Sequence, residues 1–268
     1  MRRRQLAAGL LSLAALPRES RAEKRYDSGA SDSEIKLGQT MPYSGPVSAA
    51  GTGGIACIAY FETVNKQGGI NGRKVTLISL DDGYSPPKTV EMTRRLVESD
   101  KVLFLYASVG TPTNAAVQKF LNSKKVPQLF VTTGGSRFNN PAEYPWTIPV
   151  LPSYFAEGKA LARFVLETVA TPRIAVLYQN DDLGKDFVGG FKTGLGDQVK
   201  SLIVSEQTFE ITDPTVDNQV IASKASGADV LYYAGTQKFG AMQIRARYDL
   251  GWKPLHLVCT TASGVESV

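Results

Sequence analysis

Apolar runs of strand length alternate along this chain with segments of helical period. Strands are expected at Ile35–Gln39, Lys74–Leu80, Val102–Tyr106, Gln128–Val131, Arg173–Tyr178, Leu202–Thr208, Asp229–Tyr233 and Leu255–Cys259. Helices are expected near 50–66, 86–99, 112–123, 153–169, 184–195, 214–224 and 236–249. In one of them Leu161, Phe164, Val165 and Thr168 make an i, i+3, i+4, i+7 stripe that predicts the buried face. Strict alternation of strand and helix predicts parallel sheets covered on both faces, a doubly wound α/β architecture. The stretch 137–152 carries Pro141, Pro145, Pro149 and Pro152 and interrupts the alternation, as a crossover between two α/β lobes would. Ligands of open α/β sheets sit at the carboxyl ends of the strands. That directs attention to the loops 40–53, 81–86, 107–113, 132–137, 179–184, 234–237 and 260–264.

The N-terminus departs from this pattern. Arg2, Arg3 and Arg4 precede an apolar run from Leu6 to Leu16, and small residues Ser20 and Ala22 follow Pro17. This has the form of a cleaved secretory signal over 1–22, too short in its apolar part to span a bilayer. A flexible polar stretch is expected at 23–33. The segment also distorts the charge balance: without residues 1–22 the net charge of +5 falls to +1, with 25 basic residues against 24 acidic. The basic field that a nucleic-acid partner would need is then gone. At 43% hydrophobic and 21% charged, the 268 residues have ordinary globular composition. Cys57 and Cys259, far apart and without CxxC spacing, read as two buried thiols.

Several motifs invite chemistry. Gly51-Thr-Gly53-Gly-Ile-Ala56 matches the G-x-G-x-x-A dinucleotide fingerprint, with Asp81-Asp82 ending the next strand where a ribose-binding acid would lie. Those glycines stand about ten residues beyond the first strand, whereas a pyrophosphate turn follows its strand tightly, so packing glycines at a helix start are the better reading. His256 is the only histidine, which excludes a multi-histidine metal site and leaves any Ser-His-Asp arrangement dependent on one residue inside a predicted strand. Asp81-Asp82 and Asp181-Asp182 are adjacent pairs of the kind that cap helices or face water. More informative is Ser108-Val-Gly110-Thr111-Pro112-Thr113-Asn114, which follows a strand and opens a helix with Thr111 as N-cap and Pro112 at the first helical position. Hydroxyls and unpaired amides at such an end suit a small anion, and Thr132-Thr133-Gly134-Gly135-Ser136 repeats the chemistry after the next strand.

Taken in order, these stretches resemble the leucine-binding family, the branched-chain amino acid-type periplasmic substrate-binding proteins of ABC importers. The resemblance is carried by 35–46, by Asn65-Lys-Gln-Gly-Gly-Ile-Asn-Gly-Arg73, by Asp81-Asp82 with Pro86, and by Gly110–Ala116. It continues through Val126–Gly134, Pro145-Trp146, Tyr178–Asp186 and Gly251–Leu255, covering the chain from residue 33 onward. It implies the type I periplasmic binding protein fold: two doubly wound parallel-sheet lobes at 34–150 and 151–268, closing on a small ligand by hinge motion. It implies no catalysis, no cofactor and no metal; the partners would be a small carboxylate and ABC transporter permease subunits, the location the periplasm, and the state a monomer. The family's carboxylate-binding loops fall on Ser108 to Thr111 and on Thr132, Thr133 and Gly134, and Tyr154, Leu183 and Thr236 fall at ligand-facing positions of the second half.

Two departures refine the expectation. Amino-acid binders of the family hold the ligand ammonium with an acid in the loop corresponding to Thr260-Thr-Ala-Ser263, which has none here, and Ala50 replaces a frequent aromatic. Unless Asp181, Asp182 or Glu157 compensates, a buried ammonium would be costly, which favours a carboxylate without one, such as an aromatic or 2-oxo acid. Family members also continue for roughly a hundred residues more by the family pattern, so the second half of the fold is expected to be incomplete, leaving a sheet edge and an apolar surface on the first lobe open. Alternatives are a ligand-sensing domain of the same fold in a receptor or regulator and, after it, an α/β oxidoreductase using Gly51–Ala56.

Overall fold

A computed structural model of the chain describes residues 25–264; the expected signal segment lies outside them. Among the described residues nine strands form two parallel sheets. The first contains β1 (Glu34–Met41), β2 (Lys74–Asp81), β3 (Phe104–Tyr106), β4 (Gln128–Val131) and β5 (Thr147–Pro149) in the order β2-β1-β3-β4-β5. The second contains β6 (Ile174–Gln179), β7 (Ile203–Phe209), β8 (Val230–Ala234) and β9 (Leu255–Val258) in the order β7-β6-β8-β9. Both orders reverse beside the first strand of their sheet, the topology that opens a crevice at the carboxyl ends. The helices are α1 (Thr52–Lys66), α2 (Pro86–Arg94), α3 (Thr111–Lys124), α4 (Tyr154–Thr168), α5 (Asp182–Leu195), α6 (Val199–Leu202), α7 (Asp217–Ala225) and α8 (Gln237–Asp249).

Helix pairs α4/α5 and α7/α8 accompany the second sheet, and its central strands read as continuous apolar runs, as strands buried on both faces do. Phe187, Phe191, Phe209, Phe239, Tyr232 and Tyr233 fill its core, with Phe191 stacked on Tyr232 at 4.4 Å. The first sheet is covered unequally. Leu96, Val102, Leu105, Val117 and Leu121 pack between it and α2 and α3, while Leu37, Phe61 and Val75 pack under α1. Thr147 faces α3, since its hydroxyl meets Asn122 and Gln128, so its neighbour Ile148 points to the opposite face. There Ile148 is 52% exposed and Phe130 47%. The β4–β5 end of that face is apolar and exposed.

Several expectations need correction. Within 137–152, expected to be a crossover, β5 pairs with β4. Its three residues, two positions after Pro145 and ending on Pro149, give periodicity nothing to register. The helix expected over 86–99 ends as α2 at Arg94 and passes into one wider turn at Arg95–Ser99. On α4 the buried face is Gly158, Ala162 and Val165, whereas Phe164 and Thr168 are exposed. Small residues face inward there because α4 meets α5 almost backbone to backbone: a Cβ on Gly158 would run into the Phe187 carbonyl, and one on Gly190 into the Phe155 carbonyl. Cys57 is only half-buried; Cys259 is fully buried, its thiol pushed up to about 11 by burial. Residues of the polar lead-in are tied down, with the Lys36 amide donating to the Gly29 carbonyl at 2.7 Å.

His256 on β9 illustrates what burial does to a titratable group. Its Nε2 lies 3.0 Å from the Gln243 side-chain amide, a neutral partner. Burial first, and the Arg247 charge second, lower its pKa to about 4. The unfolded chain then binds the proton more readily, and stability falls as pH drops from about 6.5 to about 4. This group alone should remove about 3 kcal/mol across that window. The raised carboxyls Asp82 and Asp181 act with the opposite sign, and they remain in both proteins of the comparison. Urea midpoints measured from pH 7 to pH 4 should therefore fall more steeply for the wild type than for His256→Gln; equal slopes would contradict this account.

Candidate ligand-binding site

A cavity of about 750 Å³ opens between the carboxyl ends of the two sheets. From the first sheet it receives the loop 45–50 after β1, Tyr84 after β2, Val109 to Thr111 after β3, and Thr132 after β4. From the second it receives Leu183 on α5, Ile211 and Thr212 after β7, Thr236 to Lys238 at the start of α8, and Thr261 after β9. Leu151 and Tyr154 line it where the chain crosses over. Five of the eight expected site residues thus meet at one cavity: Thr111, Thr132, Tyr154, Leu183 and Thr236.

Local chemistry sets each of them. The N-cap of α3 is Gly110, not Thr111, and its φ of 111° is a conformation glycine adopts readily. Thr111 is the first helical residue, and its hydroxyl meets that of Thr133 at 2.8 Å. What α3 offers the cavity is its first turn: the amides there lack intrahelical partners, Pro112 has none to offer, and Thr111 lines the cavity. The Thr132 hydroxyl donates to the Ala107 carbonyl at 3.3 Å. Tyr154 begins α4 after the Ser153 N-cap, is stacked on Phe187 at 4.2 Å, and its phenol pKa is raised by burial. Leu183 sits in the first turn of α5, which Asp181 caps by accepting from the Leu183 amide at 2.9 Å. The Thr236 hydroxyl is turned away to donate to Gln179 Oε1 at 2.9 Å.

Ser108, Thr133 and Gly134 stand behind the wall and not on it. The Ser108 hydroxyl accepts from the Thr40 amide at 3.0 Å, and the Thr133 hydroxyl accepts from the Gly135 amide at 3.0 Å. Gly134 lets the crossover pass, since a Cβ there would run into the Pro152 carbonyl and the Tyr154 ring. The first glycine of the nucleotide fingerprint is packed, since a Cβ on Gly51 would lie 3.1 Å from the Pro42 carbonyl oxygen, and Asp81 is bound to Ser44 and Lys88.

Charge around the cavity is one-sided. Among the described residues no acid lines it, and Lys238 is its one charged lining residue. The three acids that could face an ammonium are otherwise engaged. Asp181 caps α5 and accepts from Gln179, Asp182 pairs with Arg137 at 3.0 Å, and Glu157 accepts from the Thr260 amide at 2.8 Å and its hydroxyl at 2.7 Å. Arg137–Asp182, together with Ser136 donating to Asp186 at 3.0 Å through its amide, joins the two halves beside the cavity. Sequence reading missed Tyr84, Ile211, Thr212 and Lys238. The loop after β7 followed an expected strand and carried the same positional signal as its neighbours; Lys238 lies one residue beyond the inspected range.

Residues 34–267 match the family model described as periplasmic binding protein. The chain is 26% identical over 237 residues to a Leu/Ile/Val-binding protein homologue of Brucella melitensis, an alignment covering 84% of this chain and 60% of that one. Among solved structures it resembles a fatty acid ABC transporter substrate-binding protein from Thermomonospora curvata, with TM-score 0.79 and 20% identity over 91% of this chain and 61% of that one. It also resembles a solute-binding protein of an ABC transporter from Rhodopseudomonas palustris solved with 3,4-dihydroxybenzoic acid, with TM-score 0.69 and 18% identity over 84% and 61% of the two chains. The chain thus spans about 60% of the length of these relatives. The chain belongs to the periplasmic binding protein family, and its two parallel sheets have the type I fold of that family.

Proposed function

We propose that the chain is the solute-binding component of an ABC importer of the branched-chain amino acid type, and that its cavity takes a small carboxylate without an ammonium group. In this reading the lobes at 34–150 and 151–268 close around the ligand in the periplasm, and a monomer presents the closed form to the permease subunits. The observation that carries the ligand class is the one-sided charge: Lys238 and the α3 amides at the lining, no lining acid, and Asp181, Asp182 and Glu157 all engaged. An anion gains from these groups, whereas an ammonium would be desolvated with nothing to offset it. The apolar wall of Val109, Leu151, Leu183 and Ile211 suits an aromatic or branched body. Two fold neighbours described with carboxylates of this kind, a fatty acid and 3,4-dihydroxybenzoic acid, support it.

Thermal unfolding with benzoate, phenylpyruvate, leucine and NAD tests the reading. A ligand at a hundred times its Kd adds about 2.7 kcal/mol, which for a chain of this size raises the midpoint by about 5–10 °C. The shift is expected with benzoate or phenylpyruvate. A shift with leucine at micromolar concentration, and none with either acid, overturns the ligand class; a shift with NAD alone overturns the transport reading.

A further inference from the structure

The loop between β2 and α2 holds a tyrosine in a conformation tyrosines rarely take. Gly83 and Tyr84 have φ of 57° and 59°, both left-handed. For a residue with a bulky side chain this is strained, and such strain persists where the surroundings impose it. Here a fully buried carboxylate does so: Asp82 Oδ1 accepts from the Tyr84 amide at 3.0 Å, Oδ2 accepts from the Thr89 hydroxyl at 2.8 Å, and the Asp82 carbonyl accepts from the Ser85 amide at 2.9 Å. The turn drives the ring across the start of α3, so close that a Cβ on Gly110 would lie 2.7 Å from Tyr84 Cε2.

The ring ends in a hydroxyl with no partner. Tyr84 is 4% exposed and lines the cavity, yet its phenol oxygen makes no hydrogen bond. Buried hydroxyls are nearly always paired, and an exception calls for a reason. Burial first, and then the Asp181 carboxylate, push its pKa well above the ordinary value, while the Gln179 side chain and the Thr111 amide, close by without closing a hydrogen bond, pull the other way. The phenol keeps its proton and is available as a donor. Its oxygen and the Thr111 amide therefore share one corner of the cavity, a hydroxyl donor beside a backbone donor.

We propose that Tyr84 is a specificity-determining residue whose hydroxyl donates to the ligand carboxylate held at the start of α3, so that the site selects an acceptor there. The inference rests on the carboxylate reading of the cavity. The test is Tyr84→Phe in the full chain, titrated calorimetrically with benzoate and phenylpyruvate and unfolded thermally without ligand. The affinity for whichever acid binds the wild type should fall tenfold or more, while the ligand-free midpoint stays the same or rises, because the atom removed is a buried hydroxyl without a partner. A merely structural tyrosine would lower the ligand-free midpoint, and that result overturns the proposal. Equal affinity in the two proteins also overturns it and leaves the carboxylate reading standing. A wild type that binds neither acid overturns both.

Discussion

Gly190→Ala should lower the unfolding midpoint by about 5–10 °C and weaken ligand binding, although it adds only one methyl group. The methyl would be directed at the Phe155 carbonyl, and the Phe155 Cα also lies within its reach. Both are main-chain atoms of α4, so no side chain can turn aside; the helices must separate. Overpacking of this kind costs typically 1–3 kcal/mol, and the upper end is expected where backbone is struck. The midpoint falls by about 2–4 °C per kcal/mol in a chain of this size. Binding suffers because α4 brings Tyr154 and α5 brings Leu183 to the cavity. Gly189→Ala is the control. Its Cβ would meet only the Phe155 ring, at 3.8 Å, and alanine is the better helix former by about 1 kcal/mol. That variant should be at least as stable as the wild type; a loss as large as that of Gly190→Ala would show that the close main-chain approach at Gly190 is not what decides stability here.

The same glycines explain where reading the sequence succeeded and where it failed. Gly184, Gly189, Gly190 and Gly194 depress helix propensity, yet the i, i+4 placement of Leu183, Phe187 and Phe191 still announced α5, because burial outweighs propensity. Asp229–Tyr233 was legible as a strand because β8 is covered on both faces and needs no polar alternation. The buried face of α4 was not legible: periodicity favours large apolar residues, and the helix turns Gly158 and Ala162 inward to admit its neighbour. Nor was β5, whose three residues make too short a run to show any period.

At the cavity, the loops were legible from topology alone, since ligands of parallel sheets lie at the carboxyl ends. Individual side chains were not. Ser108 and Thr133 carry the same hydroxyl chemistry as Thr111 and Thr132, and only the path of the backbone decides which of them hold up the wall and which form it. Tyr84 reaches the cavity through two successive left-handed residues, a turn that Asp82-Gly83 permits but that no spacing rule announces.

The sign of the field at the start of α3 gives the second large effect. Thr132 lines the cavity there, half-buried, with its hydroxyl on the Ala107 carbonyl. Thr132→Asp brings a fixed carboxylate to the place assigned to the ligand's own. A negative charge near a helix N-terminus is favourable, so the ligand-free protein should lose little stability. An incoming carboxylate then meets a like charge at roughly 5 Å, where an effective dielectric of about 20 gives about 3 kcal/mol of repulsion. Affinity for benzoate or phenylpyruvate should drop at least a hundredfold by calorimetry. The neutral Thr132→Asn, of nearly the same shape, should retain most of it. If the two variants weaken acid binding equally, the effect is one of shape, and the cavity does not recognise its ligand by negative charge. If Thr132→Asp gains affinity for leucine as it loses benzoate, the missing acid is what turns this cavity away from amino acids.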